Sequence, residues 1–465
     1  MSDTLSTLKV ITRNGTLELK QVSKVLDRFP DLRYKLIATP SSGNKYDENQ
    51  LSGIAFSKHH PEEADKSLLE GNADLIIQSL DDLPYPLPVG LAVIALFEPF
   101  DQFDISQIGQ KFDINLIQQE AIRDNDASNG RKEHLVIVGL ANRPELKVLF
   151  ATHDIRNQFG KITLVGFGPG NPDLLTLGGD KALAQSDIIF HDDLLDKDYL
   201  KKYAAEKVYV GKRKGSHCFE QGEINRMILE AAKAGKQVVR LKGGDPMIFA
   251  HGGEEVEYLE RNLVEVAVIP GVSSGIAVAS LLKVPLTHRG ISTSMAFISG
   301  HSEKVHLPDA DTLVIYMGGS NIRAIARKVI EQGRNPEVPV MMVYNLSLPD
   351  QQEFFFTLKE LSLTEQKFPT PIIIVIGEVV SFRNKQTTEL LKNNTQDTVF
   401  NIIYVNDLGK GLESLNELGW EVSQLMPEQR VARKNIIPME SSIGKAILPR
   451  ASVYQTPYVD KVTIE

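Results

Sequence analysis

Four segments rich in glycine or serine stand directly after apolar runs of strand length, where backbone can approach a ligand closely. ITLVGF leads into Gly168-Pro169-Gly170-Asn171-Pro172. VVRLK leads into Gly243-Gly244-Asp245-Pro246, with Ile248 following; VAVIPGV offers Ser273 and Ser274, and TLVIY offers Met317. Glycine permits close backbone approach, the Asp245 carboxylate can accept hydrogen bonds from hydroxyl or amino groups, and a methionine thioether packs adaptably against a flat heterocycle. The first loop is not the dinucleotide fingerprint, because Pro169 sits inside the glycine run and no glycine opens the next helix where expected. Asn171 or Asp173 is expected near that helix cap. Singly, each feature also fits plain structure: a tight turn for the loop, core packing for Met317. In an open α/β sheet, however, ligands collect outside the carboxyl ends of strands, so four permissive ends in one domain point to one shared site. The run Lys212-Arg213-Lys214 reads as a solvated face or as a basic pocket for a small anion.

The elements that must position these residues alternate in type along the chain. From Lys9 to about Phe100, LKVITR, YKLIATP, ADLIIQSL and VGLAVIALF read as strands, with the amphipathic LELKQVSKVLDRF between the first two. The polar stretch from Asp101 to His134 reads as a loop or linker, and LVIVGLANRPELKVLF as a hairpin turning at Asn142-Arg143-Pro144. From Lys161 to about Arg383 the alternation resumes with glycine punctuation; beyond it come one β-α-β signal, FNIIYVND through GLESLNELGWEVSQLMP, and an irregular tail. The fold class is therefore α/β in three parts: residues 1–157, 158–383 and 384–465. The chain has 465 residues, 51 Lys+Arg against 60 Asp+Glu, and one cysteine. That balance argues against bulk nucleic-acid binding, and one thiol can make neither an internal disulfide nor a cysteine-based zinc cluster. No apolar run approaches the roughly 18 residues of a membrane helix, and the opening MSDTLSTLKV has no signal-peptide pattern, so a soluble cytoplasmic protein is expected.

In order and spacing, GFGPGNPDLLTL, IIFHDDLL, VYVGKRKGSHCFEQGEIN, VVRLKGGDPMIF, PLTHR and VIYMGGSN resemble the uroporphyrinogen-III C-methyltransferases of the tetrapyrrole methylase family. The resemblance implies two α/β subdomains with S-adenosylmethionine in the cleft between them, no metal, a homodimer, and two methyl transfers that take uroporphyrinogen III through precorrin-1 to precorrin-2, the precursor of siroheme and cobalamin. It further implies donor contacts at Pro169, Gly243, Gly244, Asp245, Ile248, Ser273, Ser274, Met317 and the backbone around Leu346. By the same resemblance Asp192 is the proton acceptor and Lys212 the proton donor; the cations Lys212, Arg213, Lys214 and Arg289 are expected to meet the substrate's eight carboxylates, and the retained Glu254 is a further substrate-binding residue. The chain departs from the family at several places. Ser273-Ser274 replaces a Thr-Ala pair, Leu346 replaces a glycine and is expected to crowd the donor, and Asp193 and His251 replace arginines. An imidazole at 251 can serve as a base near neutrality but lacks the guanidinium fork. These departures also leave open a non-catalytic scaffold that holds donor or tetrapyrrole; a methylase acting on a later precorrin is disfavoured by PLTHR and HCFEQGEIN.

Two flanking resemblances place the outer parts on the same pathway. ITRNGTLELKQVSKVL and LLEGNADLIIQSLDDLPYPLPVGLAVIALFEPFD resemble the opening domain of hydroxymethylbilane synthase, with Arg13 and Asp82 where that family has a substrate-binding arginine and its catalytic aspartate. Asn14, Gln78 and Asp81 replace that family's lysine, histidine and lysine. The cysteine carrying its dipyrromethane cofactor has no counterpart, since Cys218 lies in the methyltransferase motif. A silent module without dipyrromethane is expected, which could dock other tetrapyrrole-pathway enzymes. The C-terminal β-α-β resembles the first unit of uroporphyrinogen-III synthase.

Overall fold

The computed structural model describes residues 7–13, 16–39, 62–99, 134–192, 197–211, 219–301, 306–383, 400–405 and 459–464. Its first sheet contains β1 (Leu8–Arg13), β2 (Tyr34–Thr39), β3 (Leu75–Ser79), β4 (Leu91–Leu96) and β5 (Leu135–Leu140), in the order β2-β1-β3-β5-β4. The first three are parallel, and β5 runs antiparallel to both neighbours. Helices α1 (Thr16–Leu26), α2 (Glu62–Leu69) and α3 (Pro144–Phe150) accompany it. The expected hairpin at Asn142-Arg143-Pro144 is not formed. Pro144 takes the first helical position, where its missing N–H costs nothing, and Leu146 and Phe150 turn into the core, so the apolar run after the turn is helix.

The second sheet is wholly parallel and ordered β10-β6-β9-β7-β8: β6 (Ile162–Gly166), β7 (Ile188–His191), β8 (Glu206–Tyr209), β9 (Val238–Lys242) and β10 (Val266–Ile269). Helices α4 (Leu177–Ala184), α5 (Lys197–Leu200), α6 (Gln221–Lys233) and α7 (Gly252–Arg261) connect its strands, and α8 (Ser274–Leu282) leads onward. Asn171 caps a short 3-10 turn by accepting from the Asp173 N–H, and Thr176 caps α4 through the Gly179 N–H.

The third sheet is mixed, ordered β11-β12-β15-β13-β14: β11 (Met295–Ser299), β12 (Thr312–Tyr316), β13 (Pro339–Tyr344), β14 (Gln352–Thr357) and β15 (Ile372–Ile376). It carries α9 (Ile322–Glu331) and α10 (Leu358–Leu363). On α9, Ile322, Ile325, Ala326 and Val329 are buried at helical spacing; each large side chain so removed from water contributes roughly 1.5–3 kcal/mol. In the C-terminal region β16 (Phe400–Val405) pairs antiparallel with β17 (Val459–Ile464). The tail thus ends in a strand where irregular chain was expected, and the expected helix and second strand of the β-α-β unit lie outside the described residues.

The first sheet's unit, the head, docks on the second sheet's unit. Tyr85 donates to Glu260 at 2.5 Å, the Arg261 guanidinium lies 5.3 Å from the Tyr85 ring centre, and Leu263 joins the head's apolar cluster. Among the described residues, no helix is long and apolar enough to cross a membrane.

Candidate active site

Loops from the carboxyl ends of the second and third sheets meet. After β6 and β9, Gly168 and Gly244 exchange backbone hydrogen bonds of 3.2 and 2.7 Å, which joins the first two glycine loops into one surface. The third loop, after β10, presses against them so closely that a Cβ on Gly271 would lie 2.2 Å from the Gly244 oxygen. Asp245 ties the same loops together: its carboxylate accepts from the Met247 N–H at 2.8 Å and from the Gly271 N–H at 3.1 Å. Asp245 therefore already has two backbone partners, whatever else it contacts.

Contacts from the third sheet complete the cleft. Tyr316, at the end of β12, shares a hydrogen bond of 2.7 Å with Ser273 Oγ and accepts from the Gly275 N–H at 2.9 Å; burial pushes its phenol above the ordinary range. Phe249 stands with its ring centre 5.0 Å from that of Tyr316. The Asn171 N–H donates to Ser347 Oγ across the cleft at 3.0 Å. Met317 follows Tyr316 with φ of 55° and is 48% exposed, so its thioether is surface at a strand end and not core. Met247 and Phe249 are likewise exposed, Ile248 packs on the second subdomain's core, and Pro169 is half-buried. Glycine backbone flanked by exposed apolar side chains suits a flat ring joined to a polar chain.

Leu346 does not crowd this cleft. Its side chain is buried among Val343, Ile373 and Val380, leaving only its backbone near the positive-φ residues Asn345 and Ser347. The Ser273 side chain is also buried, at the start of α8.

Asp192 follows β7 and is held by Arg240, whose Nη2 reaches its two carboxylate oxygens at 2.8 and 3.0 Å. Sequence reasoning missed Arg240 and the buried pair behind it, Lys242 and Glu255. A signal was available: VVRLK places two cations at alternate positions of a strand otherwise made of Val and Leu, one face of which must bury charge. His251 starts α7 with φ of 57°, and its ring lies 3.1 Å from Glu254, both side chains exposed. The Glu254 carboxyl is held below its ordinary range by its own backbone N–H and then by His251. Arg289 is exposed next to His288, whose ring packs on Phe382. Lys212, Arg213 and Lys214 lie outside the described residues, as do Asp193 and Cys218.

At the head, Asp82 ends a 3-10 turn that Ser79 caps through the Asp81 N–H. The Gln78 amide is buried and neither of its polar atoms has a hydrogen-bond partner among the described residues. The strand ends of β1 and β3 are neighbours, as the Ile11–Ile76 register requires.

Two stretches of the chain match known families. Residues 161–362 match the model for Tetrapyrrole (Corrin/Porphyrin) Methylases, and residues 8–129 the model for the porphobilinogen deaminase, dipyromethane cofactor binding domain. A uroporphyrinogen-III C-methyltransferase of Methanocaldococcus jannaschii is 40% identical over 240 residues, covering 49% of this chain and 99% of that one. Its counterpart in Bacillus subtilis is 41% identical over 239 residues, covering 49% and 93%. A crystal structure of uroporphyrin-III C-methyl transferase from Thermus thermophilus complexed with S-adenyl homocysteine is 39% identical, covering 48% of this chain and 94% of that one, with a TM-score of 0.43. Since two such methyltransferases are matched along nearly their whole length, the chain belongs to the tetrapyrrole methylase family.

Proposed function

We propose that the protein is an S-adenosylmethionine-dependent C-methyltransferase that converts uroporphyrinogen III through precorrin-1 to precorrin-2, on the route to siroheme and cobalamin. The observation that carries this reading is the convergence of strand-end loops from two sheets, in a region about 40% identical to named uroporphyrinogen-III C-methyltransferases over nearly all of their length.

Methyl transfer from a sulfonium is an in-line displacement. The ring carbon forms a C–C bond, the S–C bond breaks, the sulfonium becomes a neutral thioether, and the ring system gives up a proton. Positioning supplies most of the acceleration. In this reading the Gly243-Gly244-Asp245 loop, Pro169, Ile248, Ser274, Met317 and the backbone beside Leu346 hold the donor, with Ser273 and Tyr316 fixing the loop. Asp192 takes the proton, and Lys212 returns one where the product requires it. Arg213, Lys214 and Arg289 orient the substrate's carboxylates, and Glu254, with His251 beside it, meets the substrate away from them. The head holds no dipyrromethane, because the chain's only cysteine, Cys218, falls in the methylase region. The methylase part works as a homodimer in the cytoplasm.

Purified protein incubated anaerobically with S-adenosylmethionine and enzymatically generated uroporphyrinogen III tests the reading. A product heavier by two CH2 units is expected, since each methyl gained is matched by a proton given up. An unchanged tetrapyrrole mass, with intact donor binding, would leave a scaffold instead.

A further inference from the structure

The strand β9 is buried along its whole length, yet it carries Arg240 and Lys242 on one face. Burying two cations is expensive, and a well-packed apolar pair of similar volume is commonly no less stable. Their retention in a strand otherwise made of Val238, Val239 and Leu241 asks for a reason beyond stability. The geometry supplies one. Glu255 of α7, fully buried, receives Lys242 Nζ at 2.8 Å, Gln221 Nε2 at 3.0 Å and Arg240 Nε at 3.4 Å, all on Oε1. Arg240 is further fixed by the Leu241 carbonyl at 3.2 Å, and its remaining Nη2 reaches out to both oxygens of Asp192. Of the four charged groups only Asp192 is open to solvent, 31% exposed against 5% or less for the others. Lys242 at the other end is the residue from which the Gly243-Gly244-Asp245 loop departs.

We infer that Arg240 and Glu255 are positioning residues of the methyl transfer: Glu255 holds Arg240, and Arg240 fixes the direction of the Asp192 carboxylate relative to the loop rooted at Lys242. This rests on the proposed role of Asp192 as proton acceptor. A guanidinium suits the task because it donates from one rigid planar fork while keeping its charge.

The test uses the full chain. Arg240→Lys keeps the charge and loses the fork; its kcat is expected to fall at least tenfold, while KM for S-adenosylmethionine and the calorimetric Kd for S-adenosylhomocysteine change less than threefold. Glu255→Gln, which keeps shape and polarity, should show a smaller loss of the same kind. In the Asp192→Asn background neither change should slow the enzyme further, since each acts through Asp192. Additive losses, or parallel losses of kcat and donor affinity, would make the network merely structural and overturn the inference, as would failure of both variants to fold. A slow Asp192→Asn with a normal Arg240→Lys sinks this inference alone. An unimpaired Asp192→Asn sinks the proton-acceptor assignment and the inference with it.

Discussion

The Asp245 carboxylate ties two loops together, and in the proposed function it also meets the donor. Both oxygens already accept backbone N–H groups, from Met247 on one side and Gly271 on the other, so the side chain fastens the loop after β9 to the loop after β10. Hydrogen bonds to a charged acceptor are worth roughly 1.5–3 kcal/mol each when partly buried. Asp245→Ala is therefore expected to lower thermal stability as well as weaken S-adenosylhomocysteine affinity, the latter by roughly tenfold. Calorimetry paired with a melting curve checks this, and an unchanged melting temperature with weaker binding would mean that Asp245 serves the ligand alone. A second carboxylate, Asp311, lies before β12 and accepts from the backbone and hydroxyls of Thr293 and Ser294, which hold it below its ordinary value of 3.8. A depressed carboxyl contributes stability above the ordinary value and loses it as pH falls through the folded one. The melting-temperature advantage of the wild type over Asp311→Asn should thus hold at pH 7 and shrink below about pH 4. A gap that widens on acidification would contradict the sign.

At the scale of elements, glycine decides how closely the three loops approach. A methyl on Gly271 would meet the Gly244 oxygen at 2.2 Å and Gly166 backbone at 2.7 Å, and no flexible side chain is available to give way. Overpacking of this kind costs about 1–3 kcal/mol where neighbours can shift, and more where they are backbone. Gly271→Ala should consequently lower the denaturation midpoint and abolish donor binding, read by chemical denaturation and calorimetry; full affinity in that variant would remove the close approach from the site's requirements. The glycine loops were legible in the sequence because glycine after an apolar run leaves few alternatives. The element that comes after a turn was harder to read. ANRPELKVLF carries the turn residues of a hairpin and the Pro-first pattern of a helix at once, and only the burial of Leu146 and Phe150 in the head's core chooses the helix. The Arg240–Glu255 contact joins positions in a strand and a helix whose pairing no local pattern specifies. Leu346 shows the converse: its position in sequence placed it at the donor, while the direction of its side chain, into the core, depends on the backbone conformation there.

At the scale of the whole molecule, the head is attached to α7, the helix that also bears the candidate site residues His251 and Glu254 at its other end. His251 stands at the N-cap of α7 with Glu254 and Glu255 in the first turn, and Glu260 and Arg261 at the other end meet Tyr85 of the head. The Glu260 hydrogen bond, reinforced by burial, pushes the Tyr85 phenol up to about 12, so it stays a donor throughout the neutral range. The docking is local and not core-like, since a cavity of about 840 Å³ lined by Lys147, Arg156, Lys161 and Glu260 among others remains at the junction. Such an attachment supports a folded module without demanding that it turn over a substrate. Two residues argue that it does not. Chain growth on a covalent primer needs a thiol, and the only one, Cys218, belongs to the methylase region. Asp81, exposed at the end of β3, presents negative charge to any carboxylate nearby, a repulsion of about 1 kcal/mol per close pair in water. The intact protein is therefore expected not to convert porphobilinogen to hydroxymethylbilane. Removing residues 1–157 would bare Leu263 and Phe159, which pack on the head's cluster, and should cost solubility and melting temperature before it costs methyl transfer per folded molecule. Porphobilinogen consumption by the purified full chain, free of contaminating deaminase, would overturn the first expectation; a soluble truncation that binds S-adenosylhomocysteine normally yet transfers no methyl would overturn the second.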